Sequence, residues 1–208
     1  MPGFVYVVDD DASFRKAIER RLKVAGYEVE TYSSAQLLLD RVPAAERPGC
    51  ILLDLQMPGL NGLEVQDRLV ELGSILPIVF VTGHADTPAT VRAIKAGAED
   101  FLTKPASSEQ LIAAIERSLA RYESARNQRS KLDSILAHLA TLTPRERQVF
   151  DLIVRINKQI ATELGTTERT VKAHRHEVME KMQVHSLAEL VSSAERLGLL
   201  DRSTHLGG

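Results

Sequence analysis

FVYVVDDD, residues 4–11, sets an apolar, strand-forming run directly against three consecutive acids, Asp9, Asp10 and Asp11. Like charges in a row repel, and a carboxylate taken out of water is costly unless a partner compensates it. An acid cluster at the end of an apolar run therefore needs other groups close by. The next hundred residues show where they come from.

Short apolar, β-rich runs recur at 27–32 (YEVETY), 50–55 (CILLDL), 77–82 (PIVFVT) and 99–104 (EDFLTK). Between them the spacing turns helical. ASFRKAIERRLKVAG (12–26) places Phe14, Ile18, Leu22 and Val24 near one face and ends at Gly26; TPATVRAIKAGA (87–98) has Pro88 in its first turn and Gly97 at its end. Strand and helix alternating five times predict a parallel sheet with helices on both faces. The near-continuous apolar runs 51–53 and 78–81 suit strands covered on both sides. In such sheets a ligand sits beyond the carboxyl ends of the strands. Asp9–Asp11, Asp54, Thr82 and Lys104 all fall at strand ends, so one rim collects acids, a hydroxyl and an ammonium.

Three chemistries use such a rim. Grouped carboxylates bind a hard cation such as Mg²⁺. A carboxylate beside it can act as nucleophile toward a phosphoryl group, giving an acyl phosphate. An ammonium and a hydroxyl stabilise phosphoryl oxygens. A blander reading holds for single members: Asp11 alone is a good helix N-cap, QMPGLNG (56–62) alone is a tight turn, and KP at 104–105 alone says little. Four independent strand ends supplying complementary groups make coincidence a poor account of the set.

No apolar run approaches the ~20 residues of a membrane-spanning helix, and MPGFVYVVDDD lacks the basic start and long apolar core of a signal peptide. One cysteine, Cys50, excludes an internal disulfide and suits a reducing compartment. A cytoplasmic protein with no membrane partner is expected. The net charge of −2 hides an asymmetry: residues 1–120 carry 12 Lys+Arg against 17 Asp+Glu (−5), and residues 121–208 carry 14 against 11 (+3), with five of the six histidines. An acidic front and a basic back predict two domains with different partners, the back one a polyanion.

From 106 to about 142 there is no Gly or Pro, and apolar residues recur at helical spacing (Leu111, Ile112, Ile115, Leu119; Leu132, Ile135, Leu136, Leu139) around a polar RYESARNQRSK. The fifth helix is expected to run on as a helical linker. In LTPRERQVFDLIV, Thr143 can cap a helix, Pro144 take its first position and Glu146 close a capping box. NKQIATELGTTERTVKAHRHEVMEKM then reads as helix, turn at Gly165, helix, and SLAELVSSAERLG as a last helix. Four short helices with a Gly turn between the middle two form a helix-turn-helix pattern. Val149, Leu152, Ile153, Ile160, Leu164, Val171, Val178 and Met182 are its candidate core.

Residues 1–120 resemble the receiver domain of a two-component response regulator: VVDDD, LLDLQMPGLNG, VTGHAD and FLTKP fall in that family's order and spacing. The resemblance implies an α/β doubly wound, flavodoxin-like sheet of five parallel strands, with Asp54 as acceptor of a phosphoryl group from a sensor histidine kinase. It implies that Asp10, Asp54 and the backbone carbonyl of Gln56 coordinate Mg²⁺ (or Mn²⁺), with Asp9 acting through water. Lys104 would pair with the phosphate, beside a cis bond to Pro105. Thr82 would swing onto the phosphoryl oxygens, and Phe101 would turn inward and reshape the face of the fourth helix, fifth strand and fifth helix. Asp11 has no firm family role. Phosphorylation adds about −1.5 to −2 charges, enough to rebias a two-state element.

Residues 140–200 resemble the LuxR/NarL-type helix-turn-helix through LTPRERQV, NKQIATELG, TVKAH and KMQV. By that resemblance Lys172, Ala173 and His176 face base edges, while Asn157, Lys158, Arg169, Thr170, Arg175 and Lys181 hold phosphates. Two departures stand out. The family usually has a longer, Gly-containing stretch between LIV and NK, where this chain has only Arg155 and Ile156; distortion of that turn and displacement of Asn157 and Lys158 are expected. Glu177 stands where the family commonly has Asn.

The expected organisation is a receiver at 1–120, a helical linker at 121–139 and an all-α, four-helix DNA-binding domain at 140–208, closest in type to the FixJ-like subgroup and to regulators of aromatic-hydrocarbon degradation. Phosphorylation of Asp54 would promote a homodimer through Val91, Arg92, Lys95 and Glu99. Paired basic domains would then bind double-stranded promoter DNA, with RNA polymerase as a further partner. Two other functions compete. One is a constitutive DNA binder whose receiver is only a dimer scaffold. The other is a Mg²⁺-dependent phosphohydrolase, opposed by Gln56, which stands where such an enzyme often needs a second acid. The chain is not expected to be an enzyme.

Overall fold

The computed structural model describes residues 3–41, 47–83 and 87–199; residues 84–86 of the VTGHAD motif and the tail from 200 lie outside them. Its backbone contacts separate two compact units, Met1–Arg126 and Asn127–Gly208.

In the first unit β1 (Phe4–Val8), β2 (Glu28–Tyr32), β3 (Gly49–Leu53), β4 (Ile78–Thr82) and β5 (Asp100–Thr103) form one sheet in the order β2-β1-β3-β4-β5. Every pairing is parallel. All five strands expected from the apolar runs are present. The helices are α1 (Ala12–Val24), α2 (Ala35–Leu39), α3 (Gly62–Glu71), α4 (Thr87–Lys95) and α5 (Ser108–Leu139).

Alternation along each strand divides the core in two, as a period of two residues requires. Tyr6, Val8, Ile51, Leu53, Ile78 and Phe80 pack with Leu38 of α2, Val65 and Leu69 of α3 and Ala93 of α4. Val5, Val7, Cys50, Leu52, Val79 and Val81 pack with Ile18 and Leu22 of α1 and Leu111, Ala114 and Ile115 of α5. Each fully buried Leu, Ile or Val contributes about 1.5–3 kcal/mol of transfer free energy, so both faces are needed. Cys50 has no exposed surface, and burial pushes its thiol up to about 12.

The register is what assembles the rim. Val8 pairs with Leu53 and Thr82 with Thr103. One residue on, the Asp54 N–H donates to the Val8 carbonyl at 2.9 Å and the Lys104 N–H to the Thr82 carbonyl at 2.8 Å. Residues far apart in sequence therefore leave the sheet side by side.

Local capping sets where the helices begin. Asp11 accepts hydrogen bonds from the Ser13 and Phe14 N–H groups at 2.8 and 3.3 Å, so it is the N-cap of α1. Asn61 and Glu64 close a capping box at α3. α5 is a single helix of 32 residues, continuous through the Gly- and Pro-free stretch.

The second unit holds α6 (Pro144–Asp151), α7 (Asn157–Glu163), α8 (Glu168–Lys181) and α9 (Leu187–Arg196). Thr143 and Glu146 form the expected capping box, with Pro144 in the first turn. Gly165 supplies φ +59° at the α7–α8 turn, a conformation cheap only for glycine. Phe150, Ile153, Val178, Met182, Leu190 and Ala194 pack with Leu139. Val149, Ile160, Ala161 and Val171 form a smaller cluster flanked by Leu152 and Leu164. All eight residues read as core lie in one cluster or at its edge.

Candidate functional sites

At the carboxyl rim of the sheet, Asp9, Asp54 and Thr82 are buried and Asp10 is exposed. One carboxylate oxygen from each of Asp9, Asp10 and Asp54 lies within 4.8 Å of the others. The Lys104 ammonium sits between two of them, 2.5 Å from Asp9 Oδ2 and 2.8 Å from Asp54 Oδ2. The remaining oxygens are held by backbone: Asp9 Oδ1 accepts from the Asp11 N–H at 2.9 Å, and Asp54 Oδ1 from the Gln56 N–H at 3.2 Å. The Lys104–Pro105 bond is cis.

Burial pushes the Asp9 carboxyl above the usual carboxylate value, although Lys104 and the Asp11 N–H oppose it. Burial also works against the Lys104 ammonium, but hydrogen bonds to Asp54 and Asp9 together outweigh it, leaving Lys104 above an ordinary lysine. Both shifts are upward: Lys104 is favoured in its charged form, whereas burial still disfavours the charge on Asp9. The ammonium holds its own proton firmly yet does not offset the burial of Asp9. Three hard oxygen donors gathered this closely suit Mg²⁺ or Mn²⁺ rather than a soft metal.

Two groups at this rim have no signal in the strand pattern. The Phe14 ring lies beneath Lys104, with the ammonium 4.1 Å from its centroid. The Arg15 Nη1 donates to the Asp9 carbonyl at 2.5 Å. Both come from the first turns of α1, whose periodicity marks Phe14 only as a member of the apolar face and does not mark Arg15 at all.

Phe101 is half-buried against Phe80, ring centroids 6.0 Å apart. On α4 Val91 and Ile94 are 45% and 47% exposed, with Arg92 and Lys95 exposed beside them. Glu99, expected on the same face, is already engaged: its carboxylate pairs with Arg121 of α5 at 3.0 Å. Arg117 pairs likewise with Asp100 at 2.5 Å.

In the second unit Arg169, Lys172, Ala173 and His176 are exposed on α8, Lys158 is exposed on α7, and Thr170 and Asn157 are half-buried. Thr167 caps α8 through the Thr170 N–H. The expectation that Arg175 and Lys181 hold phosphates meets a different placement. Lys181 Nζ donates to both oxygens of Glu146, at 2.9 and 2.7 Å. Arg175 Nη2 donates to the carbonyls of Ile153 and Arg155, at 2.8 and 2.5 Å. Glu177 is exposed, as is Glu180, whose carboxylate lies 3.7 Å from His176 Nε2. Exposed Arg169 and Lys172 follow the exposed Glu168 at the start of α8, and Glu177 and Glu180 make its outward face acidic toward the end.

Comparison with known proteins bears on both sites. Residues 5–116 match the response regulator receiver domain, and residues 140–194 match the bacterial regulatory proteins of the luxR family. The chain is a response regulator with a LuxR-type DNA-binding domain. This response regulator is 42% identical to the response regulator protein TodT of Pseudomonas putida over 195 residues, 93% of this chain and 86% of TodT. It is 41% identical to the transcriptional regulatory protein FixJ of Bradyrhizobium diazoefficiens over 201 residues, 96% of this chain and 98% of FixJ. Among solved structures, response regulator StyR superposes with a TM-score of 0.77 at 46% identity, covering 94% of this chain and all of StyR. Full-length FixJ from B. japonicum gives a TM-score of 0.59 at 42% identity, covering 96% and 98%. The response regulator is thus a transcriptional regulator of a two-component system, and among its described residues no helix is long and apolar enough to cross a membrane.

Proposed function

We propose that this response regulator is switched by phosphorylation of Asp54 and then binds promoter DNA as a dimer. The observation that supports this most directly is the Lys104 ammonium shared between Asp9 and Asp54, side chains 95 and 50 positions away in sequence. That arrangement concentrates a nucleophilic carboxylate, its acid neighbours and a fixed cation in one buried rim.

Asp9, Asp10, Asp54 and the carbonyl of Gln56 would hold Mg²⁺ or Mn²⁺, which when bound supplies positive charge against the repulsion between carboxylates and phosphate. The Asp54 carboxylate attacks the phosphorus of a phosphohistidine on the sensor kinase. A P–O bond forms, the P–N bond breaks, and the imidazole leaves. Lys104 then exchanges a carboxylate for a phosphoryl oxygen, and the Thr82 hydroxyl donates to another. Phe101 pairs with Phe80, two residues before Thr82 on β4; movement of Thr82 would be passed along that strand to the ring and alter the face of α4 and β5. Val91 and Ile94, with Arg92 and Lys95, form the pairing surface there, and Glu99 serves it only through its bond to Arg121.

On DNA, α8 enters the major groove with Lys172, Ala173 and His176 toward base edges, while Lys158, Arg169, Thr170 and Asn157 engage phosphates. Arg175 and Lys181 are left out of the contact set because their donors point inward. RNA polymerase is the further partner at the promoter. The protein acts in the cytoplasm and turns over no substrate, since Gln56 offers no second acid.

The test uses the full chain with acetyl phosphate and Mg²⁺. Mass spectrometry should find one acid-labile adduct, at Asp54, and gel mobility on candidate promoter DNA should tighten in parallel. Asp54→Ala should lose both. An adduct elsewhere, or an Asp54→Ala protein with full DNA response, would overturn the reading.

A further inference from the structure

α8 buries Val171 and Val178 completely. Arg175 stands four residues after the first and three before the second, on the stripe that faces the core. A guanidinium at such a position needs partners for its donors. It finds them in the short connection between α6 and α7, where only residues 152–156 join one helix to the next.

That connection is tightly wound. The Ile153 N–H returns to the Phe150 carbonyl at 3.0 Å, and the Arg155 N–H to the Leu152 carbonyl at 2.9 Å. Carbonyls past the last turn of a helix have no partner within it. Those of Ile153 and Arg155 both accept from the Arg175 Nη2, from 22 and 20 positions along the chain. Its Nε is buried with no hydrogen-bond partner among the described residues, so the group is sunk into the unit rather than presented outward. Burial lowers its pKa. On the outer side of the same turn Arg155 pairs with Glu163 of α7. One arginine therefore ties α8 to the exit of α6, and a second ties that exit to α7.

We propose that Arg175 is a positioning residue for DNA reading: its clamp on the Ile153 and Arg155 carbonyls sets the rotation of α8, and so the direction in which Lys172, Ala173 and His176 project. The inference rests on the DNA-binding reading given above. Both bonds leave the one Nη2, whose two N–H groups lie fixed in the guanidinium plane; that planar geometry resists rotation of the helix about its axis more than a freely rotating ammonium does. The shortened connection leaves no slack to take up that rotation, so the clamp is specific to this turn.

The experiment compares the full chain with Arg175→Met, Arg175→Lys and Arg169→Met. DNA fragments selected from a random pool by the wild-type protein serve as the specific probe, and scrambled duplexes of the same composition as the control. Affinity is measured across a salt series, and amide hydrogen exchange over residues 153–157 is followed without DNA. Arg175→Met should bind the selected site at least about tenfold more weakly, with little loss on scrambled DNA and an unchanged salt slope. Arg175→Lys should recover part of the loss, and exchange over 153–157 should quicken in both variants. Arg169→Met, which removes an outward charge, should instead lower the slope by about one and weaken both DNAs alike. The clamp is refuted by that second signature in Arg175→Met, or by unchanged affinity. Should Arg175→Met fail to fold, Arg175→Lys decides by the same two signatures. Failure of the wild type to select any duplex would sink the DNA-binding reading itself. In that case unchanged exchange in the Arg175 variants refutes the clamp, and quickened exchange supports it.

Discussion

Lys104 does more at rest than its expected role as phosphate partner implies. Between Asp9 and Asp54 it holds the rim together before any phosphoryl group arrives, at a side-chain exposure of 19%. Lys104→Met should leave two buried acids facing each other. Without divalent cation this variant should lose about 1–3 kcal/mol of stability in urea titration, and Mg²⁺ should restore more of its midpoint than it adds to the wild type. A loss that Mg²⁺ leaves untouched would show that the carboxylates are not its cause. Gly62 acts on the same site from behind. A Cβ there would stand 2.7 Å from the Asp54 carbonyl and 2.8 Å from the Phe80 ring. Gly62→Ala should cost about 1–3 kcal/mol and slow adduct formation at Asp54, read by mass spectrometry over time. Asp9, Asp54, Thr82 and Lys104 were legible in the sequence because each ends an apolar run and the parallel register does the rest. Arg175 was not, because nothing in a local pattern announces acceptors more than five helical turns away in the chain.

At the scale of elements, the α6 capping box is also a tie to α8. Glu146 caps Thr143 and accepts from Lys181, 35 positions on. The Lys181 ammonium, and then the Thr143 N–H, hold the Glu146 carboxyl below the usual carboxylate range. A folded-state value lowered in this way gives stabilisation that is complete above the unfolded carboxylate value, about 4.3, and fades as pH falls through the folded one. The melting temperature of the wild type should therefore drop more steeply below that value than that of Glu146→Gln, by circular dichroism at stepped pH. Parallel curves would mean the tie contributes nothing. The capping half of this motif could be read from Thr143, Pro144 and Glu146 in line. The half that reaches Lys181 needed the fold, which is why a lysine that looked free for phosphate turns out to be engaged. Glu99 is a like case: its partner Arg121 lies on α5, beyond the strand whose pattern brought Glu99 to notice.

For the whole molecule, the unbroken α5 is the covalent path by which one unit can inform the other. Ser130→Pro would interrupt its backbone ladder at a local cost of about 3 kcal/mol. The expected outcome is a protein that still takes up phosphate at Asp54 but whose gel mobility on DNA no longer responds to it. A response equal to the wild type would mean that helix continuity is not needed. The same scale brings Cys50 back into view. It is the sole cysteine of the chain and is sealed inside β3 with a thiol that stays protonated at neutral pH. Maleimides attack exposed thiolates, so the native chain is in effect a blank for labelling. A fluorophore or spin label introduced at one new surface cysteine, or a pair of them, would report distances between the units before and after activation without first removing a residue from the core.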